Sequence, residues 1–312
     1  MEYIIGIDGG GTKTDCAVSD PEGNILFEIK GDPSNFLIEG TGKVSVSLLD
    51  LINRCKEKLD FDYSDITAIL IGTAGAGRKS DAERLKKSFA DFSRSKGIDF
   101  KNFIVESDAR IALEGAFSGK PGAILISGTG SIMLGKDLNG NIHRVGGYGR
   151  LIGDEGSGFS IGRKGLNAVS KQFDGRGNYT LISGYLDDKF GINSEENLIT
   201  EVYKNNFDIA AIAPLVISAA ENNDKTALGI IDEEIYELMK YIPAIKEKLN
   251  LSELNLSYIG GLITKDNLYS KKLNEMIMND FPEIKIQPPQ NSPVMGAILM
   301  AKKIIDENQK AG

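Results

Sequence analysis

Ile4-Ile5-Gly6-Ile7-Asp8-Gly9-Gly10-Gly11-Thr12-Lys13-Thr14 is the stretch that decides the fold of this 312-residue chain. The β-rich run from Tyr3 to Asp8 predicts a strand, glycines 9–11 predict a tight turn, and residues 15–19 predict a second strand. Glycine amides approach an anion closely and threonine hydroxyls can donate to it, so the turn suits phosphate groups. The turn lies between strands and lacks Walker A spacing, which disfavours a P-loop and a dinucleotide fingerprint. An ordinary glycine hairpin is the alternative.

A second segment repeats the first. Residues 124–134 again read as strand, glycine turn and strand, with Ser127-Gly128-Thr129-Gly130-Ser131 at the turn. When Gly11-Thr12 is aligned on Gly128-Thr129, Asp20-x-x-Gly23-Asn24-Ile25 falls on Asp137-x-x-Gly140-Asn141-Ile142 without a gap. We interpret this as a duplication that gives two similar β-rich domains, whose two loops can clamp a triphosphate. Two unrelated hairpins built from common turn residues are the alternative.

The remaining elements alternate between helix and strand, which predicts an α/β class. Beyond residue 160 the pattern turns helical, and a strand with a glycine turn returns at residues 256–262. The predicted elements are a helix over Thr41–Leu59, a strand over Ile66–Gly72, a helix over Asp81–Phe92, a strand over Phe103–Ser107, a helix through Phe117 with Asp108 as its N-cap, a helix over Thr226–Leu249 and a last helix over Val294–Glu307.

Length and charge narrow the class of protein. A chain of 312 residues suits two domains rather than one simple core. The formal net charge of −8 argues against a broad nucleic-acid surface, so we expect no nucleic-acid partner. The longest apolar stretch, residues 209–220, is interrupted by Pro214 and is shorter than the ~20 residues of a membrane span. We expect no membrane partner and, without a targeting leader, a cytoplasmic protein.

The rare residue types limit the chemistry. Cys16 and Cys55 are too few for a disulfide framework or a four-thiolate metal site. His143 is the one histidine and lies in a polar turn segment, so we expect a solvated loop residue. A general base is therefore expected to be a carboxylate. Asp108 is a candidate because it follows a strand, although its position alone is equally typical of a helix cap.

The motifs resemble those of the actin-like ATPase superfamily, and in detail the N-acetylglucosamine kinase branch of the BadF/BadG/BcrA/BcrD ATPase family. They occur in the family's order from residue 4 to about residue 300, and only the helical stretch around 165–250 lacks a signature. Among these motifs, Gly-Asp-Glu-Gly-Ser at residues 153–157 is the one most specific to the family. The matching segments are residues 5–14 (first phosphate motif), 126–131 (second phosphate motif), 146–158 (sugar segment), 258–261 (adenosine motif) and 293–297 (closing helix).

The resemblance implies an α/β fold of two duplicated actin-like (ribonuclease H-like) domains, each with a mixed central sheet, and an interdomain cleft. We expect an N-terminal domain over residues 1–118, joined by the C-terminal helix 294–310. The larger C-terminal domain would cover residues 119–293, with a helical insertion at about 160–250. Because the family is often dimeric, a homodimer is expected.

The resemblance also implies a kinase that transfers the γ-phosphate of ATP, with Mg²⁺, to the 6-hydroxyl of an amino sugar. N-acetylglucosamine is the first expectation and N-acetylmuramic acid the second. Asp108 falls where the family has its catalytic base, and Asp8 would hold Mg²⁺ through water. The resemblance places ATP on Gly10, Gly11, Thr12, Lys13, Thr14, Gly128, Thr129, Gly130, Ser131, Gly260 and Gly261, and the sugar on Asn35, Thr73, Asp108, Gly147, Tyr148, Asp154 and Glu155.

Three alternatives stay open. A glucosamine kinase would need no acetyl pocket, and the chain has no Trp, with Tyr148 where some members place one. An ATPase activator of a dehydratase or reductase would carry iron–sulfur cysteines, and neither Cys16 nor Cys55 has cluster-like surroundings. A structural or regulatory actin-like ATP-binding protein would leave Asp154 without a clear purpose.

Overall fold

The computed structural model describes residues 1–205 and 207–311. Its chain forms two compact units, one from residues 1–120 together with residues from 288 onward, and one from residues 121–287. We call them unit 1 and unit 2. Each unit is built on one five-stranded mixed sheet with flanking helices, so the predicted α/β class with duplicated mixed sheets is confirmed.

Unit 1 begins with three antiparallel strands and continues by alternating helix and strand. Its sheet has the order β3-β2-β1-β4-β5, in which β4 is parallel to both of its neighbours. A 3₁₀ turn at Tyr63–Asp65 precedes β4. The elements are β1 (Tyr3–Gly9), β2 (Thr14–Ser19), β3 (Ile25–Gly31), α1 (Phe36–Glu39), α2 (Thr41–Leu59), β4 (Ile66–Thr73), α3 (Lys79–Ser95), β5 (Phe103–Ser107) and α4 (Asp108–Ala116).

Unit 2 repeats this plan with a longer helical segment between its third and fourth strands. Its sheet has the order β8-β7-β6-β9-β10, and β9 is parallel to both β6 and β10. A 3₁₀ turn at Ile209–Ile212 precedes α8. The elements are β6 (Gly122–Ser127), β7 (Ser131–Lys136), β8 (Ile142–Gly146), α5 (Gly158–Phe173), α6 (Leu181–Phe190), α7 (Glu195–Lys204), α8 (Ala213–Glu221), α9 (Lys225–Met239), α10 (Tyr241–Leu249), β9 (Leu254–Ile259), α11 (Gly261–Thr264), α12 (Leu268–Asp280) and β10 (Ile284–Ile286).

The last helix, α13 (Pro293–Ala311), returns the chain to unit 1. Unit 1 therefore has two apolar clusters, one on each face of its sheet. The first packs α2 and α3 onto the sheet through side chains such as Leu48, Ile52 and Phe89. The second packs α4 and α13 onto the opposite face. Because both faces are covered, the central strand β1 is a nearly continuous apolar run rather than an alternating one.

The connection after β2 is repeated after β7. In the first turn, the Asp20 carboxylate accepts from the Asn24 backbone N–H and from its side-chain amide, each at 2.8 Å. In the second, Asp137 accepts the same two bonds from Asn141, at 2.8 and 3.0 Å. The predicted duplication therefore extends from strand order to individual side-chain hydrogen bonds.

Two predicted features were wrong in detail. The single helix expected over Thr226–Leu249 is two helices, α9 and α10, because Pro243 has no amide to bond to the carbonyl of Met239. His143 lies on β8 rather than in a solvated loop, and its Nε2 is 3.0 Å from the Asp137 carboxylate. That hydrogen bond, followed by the one from Asn141, lowers the pKa of Asp137 to about 2. The histidine thus reinforces the repeated turn.

In residues 1–205 and 207–311, no helix has the combined length and apolarity needed to cross a membrane.

Candidate active site

The first phosphate loop, residues 10–13, closes the hairpin between β1 and β2. The Gly10 N–H donates to the Lys13 carbonyl at 3.0 Å, which fixes the loop as a tight turn. Gly11 and Thr12 are exposed, and a β-carbon added to Gly11 would meet no atom within 4 Å. The Lys13 ammonium is also exposed and lies 2.6 Å from the Asp15 carboxylate. The loop therefore offers open backbone, and an ammonium beside it, to an incoming anion.

Two threonines predicted to contact ligands have buried side chains. Thr14 is 1% exposed, and its hydroxyl donates to the Asp32 carbonyl at 2.5 Å and lies 2.8 Å from Ser34 Oγ. Thr73 is fully buried, and its hydroxyl donates to the Ser34 carbonyl at 2.9 Å. Both hydroxyls hold the segment from Asp32 to Ser34 in place through hydrogen bonds. Because both hydroxyls are engaged within unit 1, the ligand contacts predicted for Thr14 and Thr73 stay predictions.

Asn35 follows this anchored segment and begins α1. Its side-chain Oδ1 accepts from the Leu37 N–H at 3.2 Å, so the side chain caps the helix. The capping bond uses the oxygen of the amide, and the predicted contact with a sugar would fall to the nitrogen. The cap thus fixes the orientation in which Asn35 can act.

Carboxylates from three elements of unit 1 interact at the end of the sheet. Asp8 on β1 lies directly opposite Asp15 on β2, a like-charged cross-strand pair whose repulsion is offset in part by the Lys13 ammonium. Burial raises the pKa of Asp8 to about 6, and the charges of Asp108 and Asp15 add to the rise. Asp8, whose ionisation is opposed in this way, suits a position beside a bound cation.

Asp108 does not cap α4, which corrects one of the two roles that sequence position suggested. Ser107 is the N-cap, and its side chain accepts from the Arg110 N–H at 3.1 Å. Asp108 is the first helical residue, and its Oδ1 accepts from the Ala109 N–H at 2.8 Å. Although the residue is exposed, the protein around its carboxylate desolvates it and raises its pKa. Helix capping therefore does not require the Asp108 carboxylate.

The second phosphate loop, residues 128–130 of unit 2, rests on the start of α5. The Gly158 N–H donates to the Gly128 carbonyl at 2.7 Å, and the Phe159 N–H donates to the Thr129 carbonyl at 3.1 Å. Ser131, which follows the loop, is buried and donates its hydroxyl to the Glu155 carbonyl at 2.6 Å. The helix amides therefore hold the loop in place rather than facing an anion directly.

The predicted adenosine motif packs against this loop. Gly260 has a φ of +102°, which only glycine adopts without strain. A β-carbon at Gly260 would collide with the Ser127 carbonyl and lie 3.1 Å from the Gly128 nitrogen. The glycine is therefore required both by its own conformation and by the close approach of β6.

A cavity of about 470 Å³ lies beside these two motifs, within unit 2. Gly128 and Thr129 line one part of it, and Gly261 with Leu262 lines another. Its volume lies in the range of small-molecule sites. The other lining residues mix apolar and polar side chains: Gly158, Asp208, Ala210, Ala211, Pro214, Ile217, Glu221, Lys265, Asp266 and Asn267. The structure thus brings the second phosphate motif and the adenosine motif to one hollow.

The glycine-rich loop, residues 147–157, joins β8 to α5 and contains the predicted sugar residues. Asp154 adopts a φ of +59°, and its Oδ1 accepts from the Gly149 N–H at 3.2 Å. Burial raises the pKa of Asp154, while hydrogen bonds from the Gly149 and Ser131 amides oppose the rise. The carboxylate therefore orders the loop from within.

Two other residues predicted for the sugar differ in their surroundings. The Glu155 carboxylate accepts from the Tyr241 hydroxyl at 2.9 Å, so its side chain is braced from α10. Tyr148 is 65% exposed, and its ring lies 4.9 Å from the Arg144 guanidinium. Gly147, beside it, packs against Ile132. Glu155 is fixed within the unit, whereas Tyr148 presents its ring to solvent.

Sequence reasoning missed the residues that hold the glycine-rich loop from behind. Glu234 on α9 accepts from the Gly156 N–H at 2.5 Å, and the Tyr269 hydroxyl on α12 donates to the Gly156 carbonyl at 2.8 Å. Both side chains are buried, and neither belongs to a motif. A glutamate at a core position of an otherwise amphipathic helix was the one available signal.

Cysteines and metal-binding side chains add no further centre. Cys16 and Cys55 are free, buried thiols whose sulfur atoms lie 3.9 Å apart. Within the described ranges, no group of three or more His, Cys, Asp or Glu side chains is placed to hold a metal ion. A metal here would therefore need ligand atoms from another molecule, as the phosphates of a nucleotide supply.

Residues 5–301 match the model of the BadF/BadG/BcrA/BcrD ATPase family. The chain belongs to this family. Within the BadF/BadG/BcrA/BcrD group it is 36% identical to an N-acetylmuramic acid/N-acetylglucosamine kinase from Clostridium acetobutylicum, over 98% of this chain and all of that protein. It is 32% identical to an N-acetyl-D-glucosamine kinase from Dictyostelium discoideum, over 96% of this chain and 98% of that one.

A solved structure gives the same fold as this BadF/BadG/BcrA/BcrD family chain. It is the crystal structure of a candidate N-acetylglucosamine kinase from Chromobacterium violaceum, which is similar with a TM-score of 0.74 and 25% identity. The similarity covers 96% of this chain and 99% of that one. The suspected family and the duplicated fold are therefore confirmed over nearly the whole chain.

Proposed function

We propose that this chain is an ATP-dependent kinase that transfers the γ-phosphate to the 6-hydroxyl of an N-acetylated amino sugar. N-acetylglucosamine is the first substrate proposed, and N-acetylmuramic acid the second. Both sugars are named for the Clostridium relative, and the first also for the Dictyostelium relative. The similarity covers all of the Clostridium relative and 98% of the Dictyostelium relative, which supports the same kind of activity here.

The cavity of about 470 Å³ in unit 2 is the observation that carries the proposal. ATP requires a hollow for its base and ribose next to donors for its phosphates. Here the apolar side chains of Ala211, Pro214 and Ile217 share one cavity with Gly128 and Thr129. The base and ribose would lie among the former group, and the phosphates would be directed toward the loop. Gly10, Gly11, Thr12 and Lys13 are proposed as further residues that bind the phosphates.

Asp108 is proposed as the general base. It would accept the proton of the sugar 6-hydroxyl as that oxygen forms its bond to the γ-phosphorus and the bond to ADP breaks. A carboxylate whose pKa is raised by desolvation is a stronger proton acceptor than an ordinary one. Its exposure leaves the carboxylate accessible to a substrate hydroxyl.

Asp8 is proposed as the residue that holds Mg²⁺, through water. The metal arrives as part of MgATP and screens the negative charge of the phosphates during transfer. The residues fit this role because burial, Asp108 and Asp15 together raise the pKa of Asp8 to about 6. A nearby cation would remove that penalty and restore an ionised carboxylate at neutral pH.

The sugar is proposed to contact Asn35, the glycine-rich loop and Asp108. Asp154 and Glu155 already bond within their own unit, so we assign them to shaping the loop as well as to the sugar hydroxyls. Gly147 and the exposed ring of Tyr148 would form the wall that an acetyl group meets. A glucosamine kinase is the alternative, since an unacetylated sugar would not need that wall.

The test is the release of ADP from MgATP with N-acetylglucosamine, N-acetylmuramic acid, glucosamine, glucose or no sugar. We expect turnover that depends on an N-acetylated sugar, and mass spectrometry of the product should find the phosphate on O6. Preference for glucosamine would select the alternative substrate. ATP hydrolysis that is independent of sugar would contradict the kinase and favour an activator or regulatory ATPase.

We also propose a homodimer that acts in the cytoplasm, where ATP is available. The apolar side chains of Leu37, Ile38 and Val46 are more than half exposed on α1 and α2, and they supply one surface for self-association. Light scattering after size-exclusion chromatography should give twice the chain mass of 33.8 kDa. The mass of a single chain would contradict the dimer and leave the kinase assignment unaffected.

A further inference from the structure

Glu234 is a carboxylate in the middle of α9, and its residue is only 1% exposed. A buried charge is tolerated only where several donors compensate it. Oε2 of Glu234 accepts from the Gly156 N–H at 2.5 Å, and Oε1 accepts from Ser160 Oγ at 2.8 Å. The Lys164 ammonium lies 2.7 Å from Oε1. The carboxylate therefore binds the end of the glycine-rich loop and the first turns of α5 at the same time.

Both backbone polar groups of Gly156, its N–H and its carbonyl, are hydrogen-bonded to side chains. Its N–H donates to Glu234, while its carbonyl accepts from Ser127 Oγ at 2.7 Å and from the Tyr269 hydroxyl at 2.8 Å. Its φ is +74°, and a β-carbon there would collide with Leu238. All three polar partners are buried. The position of this one residue is therefore over-determined by α9, β6 and α12.

These partners belong to segments that the proposed function uses. Ser127 is the last residue of β6, directly before the second phosphate loop. Tyr269 lies in the first turn of α12, just after Lys265, Asp266 and Asn267 of the cavity wall. Gly156 ends the glycine-rich loop that carries Asp154 and Glu155. The buried hydrogen bonds thus join the predicted phosphate, nucleotide and sugar segments of unit 2.

We propose that Glu234 is a positioning residue for phosphoryl transfer, acting through Gly156. It fixes the end of the glycine-rich loop relative to the second phosphate loop, so that the sugar residues keep one geometry when nucleotide binds. Because Glu234 is buried, it is proposed to act without touching either substrate. This inference rests on the proposed kinase function for its kinetic meaning, although its structural part can be tested without catalysis.

Lys164 provides the counter-charge, and its neighbour Glu233 provides a matched control. Burial lowers the pKa of Lys164, but hydrogen bonds and charge from Glu233 and Glu234 outweigh burial and raise it overall. Both carboxylates lie 2.7 Å from the Lys164 ammonium. The Glu233 side chain is 62% exposed, whereas that of Glu234 is buried and also reaches Gly156. The two glutamates therefore share the ion pair and differ in the contact with the loop.

The experiment compares Glu234→Gln with Glu233→Gln in the full chain. Amide exchange of residues 147–157 is measured by mass spectrometry, and KM for N-acetylglucosamine and for ATP is measured with kcat. For Glu234→Gln we expect the rate of amide exchange in the loop and the KM for the sugar each to rise about 10-fold. A change of this size corresponds to the loss of one charged hydrogen bond. KM for ATP should rise less, and Glu233→Gln should change each quantity by less than about twofold.

A purely structural role predicts another pattern. In that case Glu234→Gln would lower the melting temperature while exchange in residues 147–157 and KM for the sugar stayed at the wild-type values, and the proposal would be overturned. Equal effects of Glu233→Gln and Glu234→Gln would also overturn it, because the ion pair alone would then explain them.

The proposal can still be tested if Glu234→Gln does not fold or if the wild type has no kinase activity. If Glu234→Gln does not fold, Ser160→Ala removes one donor to the same carboxylate, and the loop should again exchange faster than in Glu233→Gln. If the wild type phosphorylates no sugar, the proposed function fails, yet loop exchange still decides whether Glu234 fixes Gly156. Failure of the kinase proposal and failure of the positioning proposal are therefore distinguishable.

Discussion

Asp108 and Ser107 are neighbours with separable roles. Ser107 caps α4, and Asp108 places an exposed carboxylate at the end of the sheet. From sequence alone the two roles fell on one residue, because aspartate is a favoured cap and both positions follow a strand. The hydrogen bond that the Arg110 N–H donates to the Ser107 side chain resolves the ambiguity.

Asp108→Asn should lower kcat by about 10²–10⁴-fold, the usual contribution of a general base, while leaving stability nearly unchanged. The amide oxygen can still accept from Ala109, so the helix start is preserved. Ser107→Ala should do the reverse, lowering the free energy of unfolding by about 1 kcal/mol with kcat largely retained. Steady-state kinetics and urea denaturation of both variants check this pair. Wild-type kcat in Asp108→Asn would exclude the base.

Asp8→Asn should stabilise the nucleotide-free protein at pH 8 and have little effect at pH 4. The folded state raises the pKa of Asp8 from 3.8 to about 6, so it favours the protonated form. The stability from that proton is fully present below pH 3.8 and is lost as the pH rises through about 6. After allowance for solvent screening, the gain at pH 8 is about 1–2 kcal/mol.

Urea denaturation without Mg²⁺ at the two pH values measures the Asp8 effect. Asp50→Asn, at an exposed position of α2, is the control and should show no such pH dependence. Millimolar Mg²⁺ with ATP should reduce the difference in the free energy of unfolding between the wild type and Asp8→Asn. An equal gain at both pH values would mean that ionisation of Asp8 is not the cause.

At the scale of single residues, the sequence indicated the residues at the surface of the candidate site more readily than the buried residues that hold its loops. Asp8, Gly11, Lys13 and Asp108 were recognisable because each lies in a short motif or directly after a strand. Glu234 and Tyr269 were not, since they reach Gly156 from 78 and 113 residues away. No local pattern records such a contact, which arises only when helices pack.

Among the elements, α4 and α13 cross with almost no space between them. Gly296 on α13 approaches α4 so closely that a β-carbon would collide with the Ile111 carbonyl and lie 2.6 Å from the Gly115 nitrogen. Gly6 on β1 is packed in the same way, with a β-carbon 2.6 Å from the Val294 carbonyl. Glycine at these points lets one helix lie against both a strand and another helix.

Gly296→Ala should therefore destabilise unit 1 by about 1–3 kcal/mol, through overpacking of the two helices. Gly229→Ala, at an exposed position inside α9 with no atom near the added carbon, should instead stabilise by about 0.5–1 kcal/mol. Melting temperatures and denaturant midpoints of the two variants should move in opposite directions. If Gly296→Ala left the melting temperature and the denaturant midpoint unchanged, the two helices would be able to separate at little cost.

Element boundaries followed sequence rules where those rules are local. The helix predicted over Thr41–Leu59 and the strand over Phe103–Ser107 have those bounds in the structure. The helix over Thr226–Leu249 failed because apolar periodicity continued through Pro243 and outweighed the break. Here the missing amide decided the outcome, and periodicity alone gave no sign of it.

For the whole molecule, the duplication was predictable because its turn sequence is repeated without a gap. What the repeat could not give is the length of the helical segment between β8 and β9, which contains the helices α5 to α10 where unit 1 has α1 and α2 between β3 and β4. That segment contributes Asp208, Ala211, Pro214 and Ile217 to the cavity. The part of the cavity that is proposed to receive a nucleotide base is thus built from a segment that the repeat does not predict.

Residues 121–287 should fold as an isolated fragment. The apolar cluster of unit 2 lies wholly within this continuous segment. Residues 1–120 alone should not reach a native state, because α13 supplies Val294, Ala297 and Ile298 to their second cluster. Circular dichroism and cooperative urea unfolding of both fragments test this. A cooperative transition in residues 1–120 would contradict the second half of the prediction.

The return of α13 to unit 1 has a consequence for how the protein is made. During translation, residues 1–120 leave the ribosome first, yet one face of their sheet is covered by α4 without α13 until residues after 288 emerge. At about 5–20 residues per second, this interval lasts on the order of 10–30 seconds. Unit 2 is complete before unit 1, so the half of the protein that is synthesised first is the half that matures last.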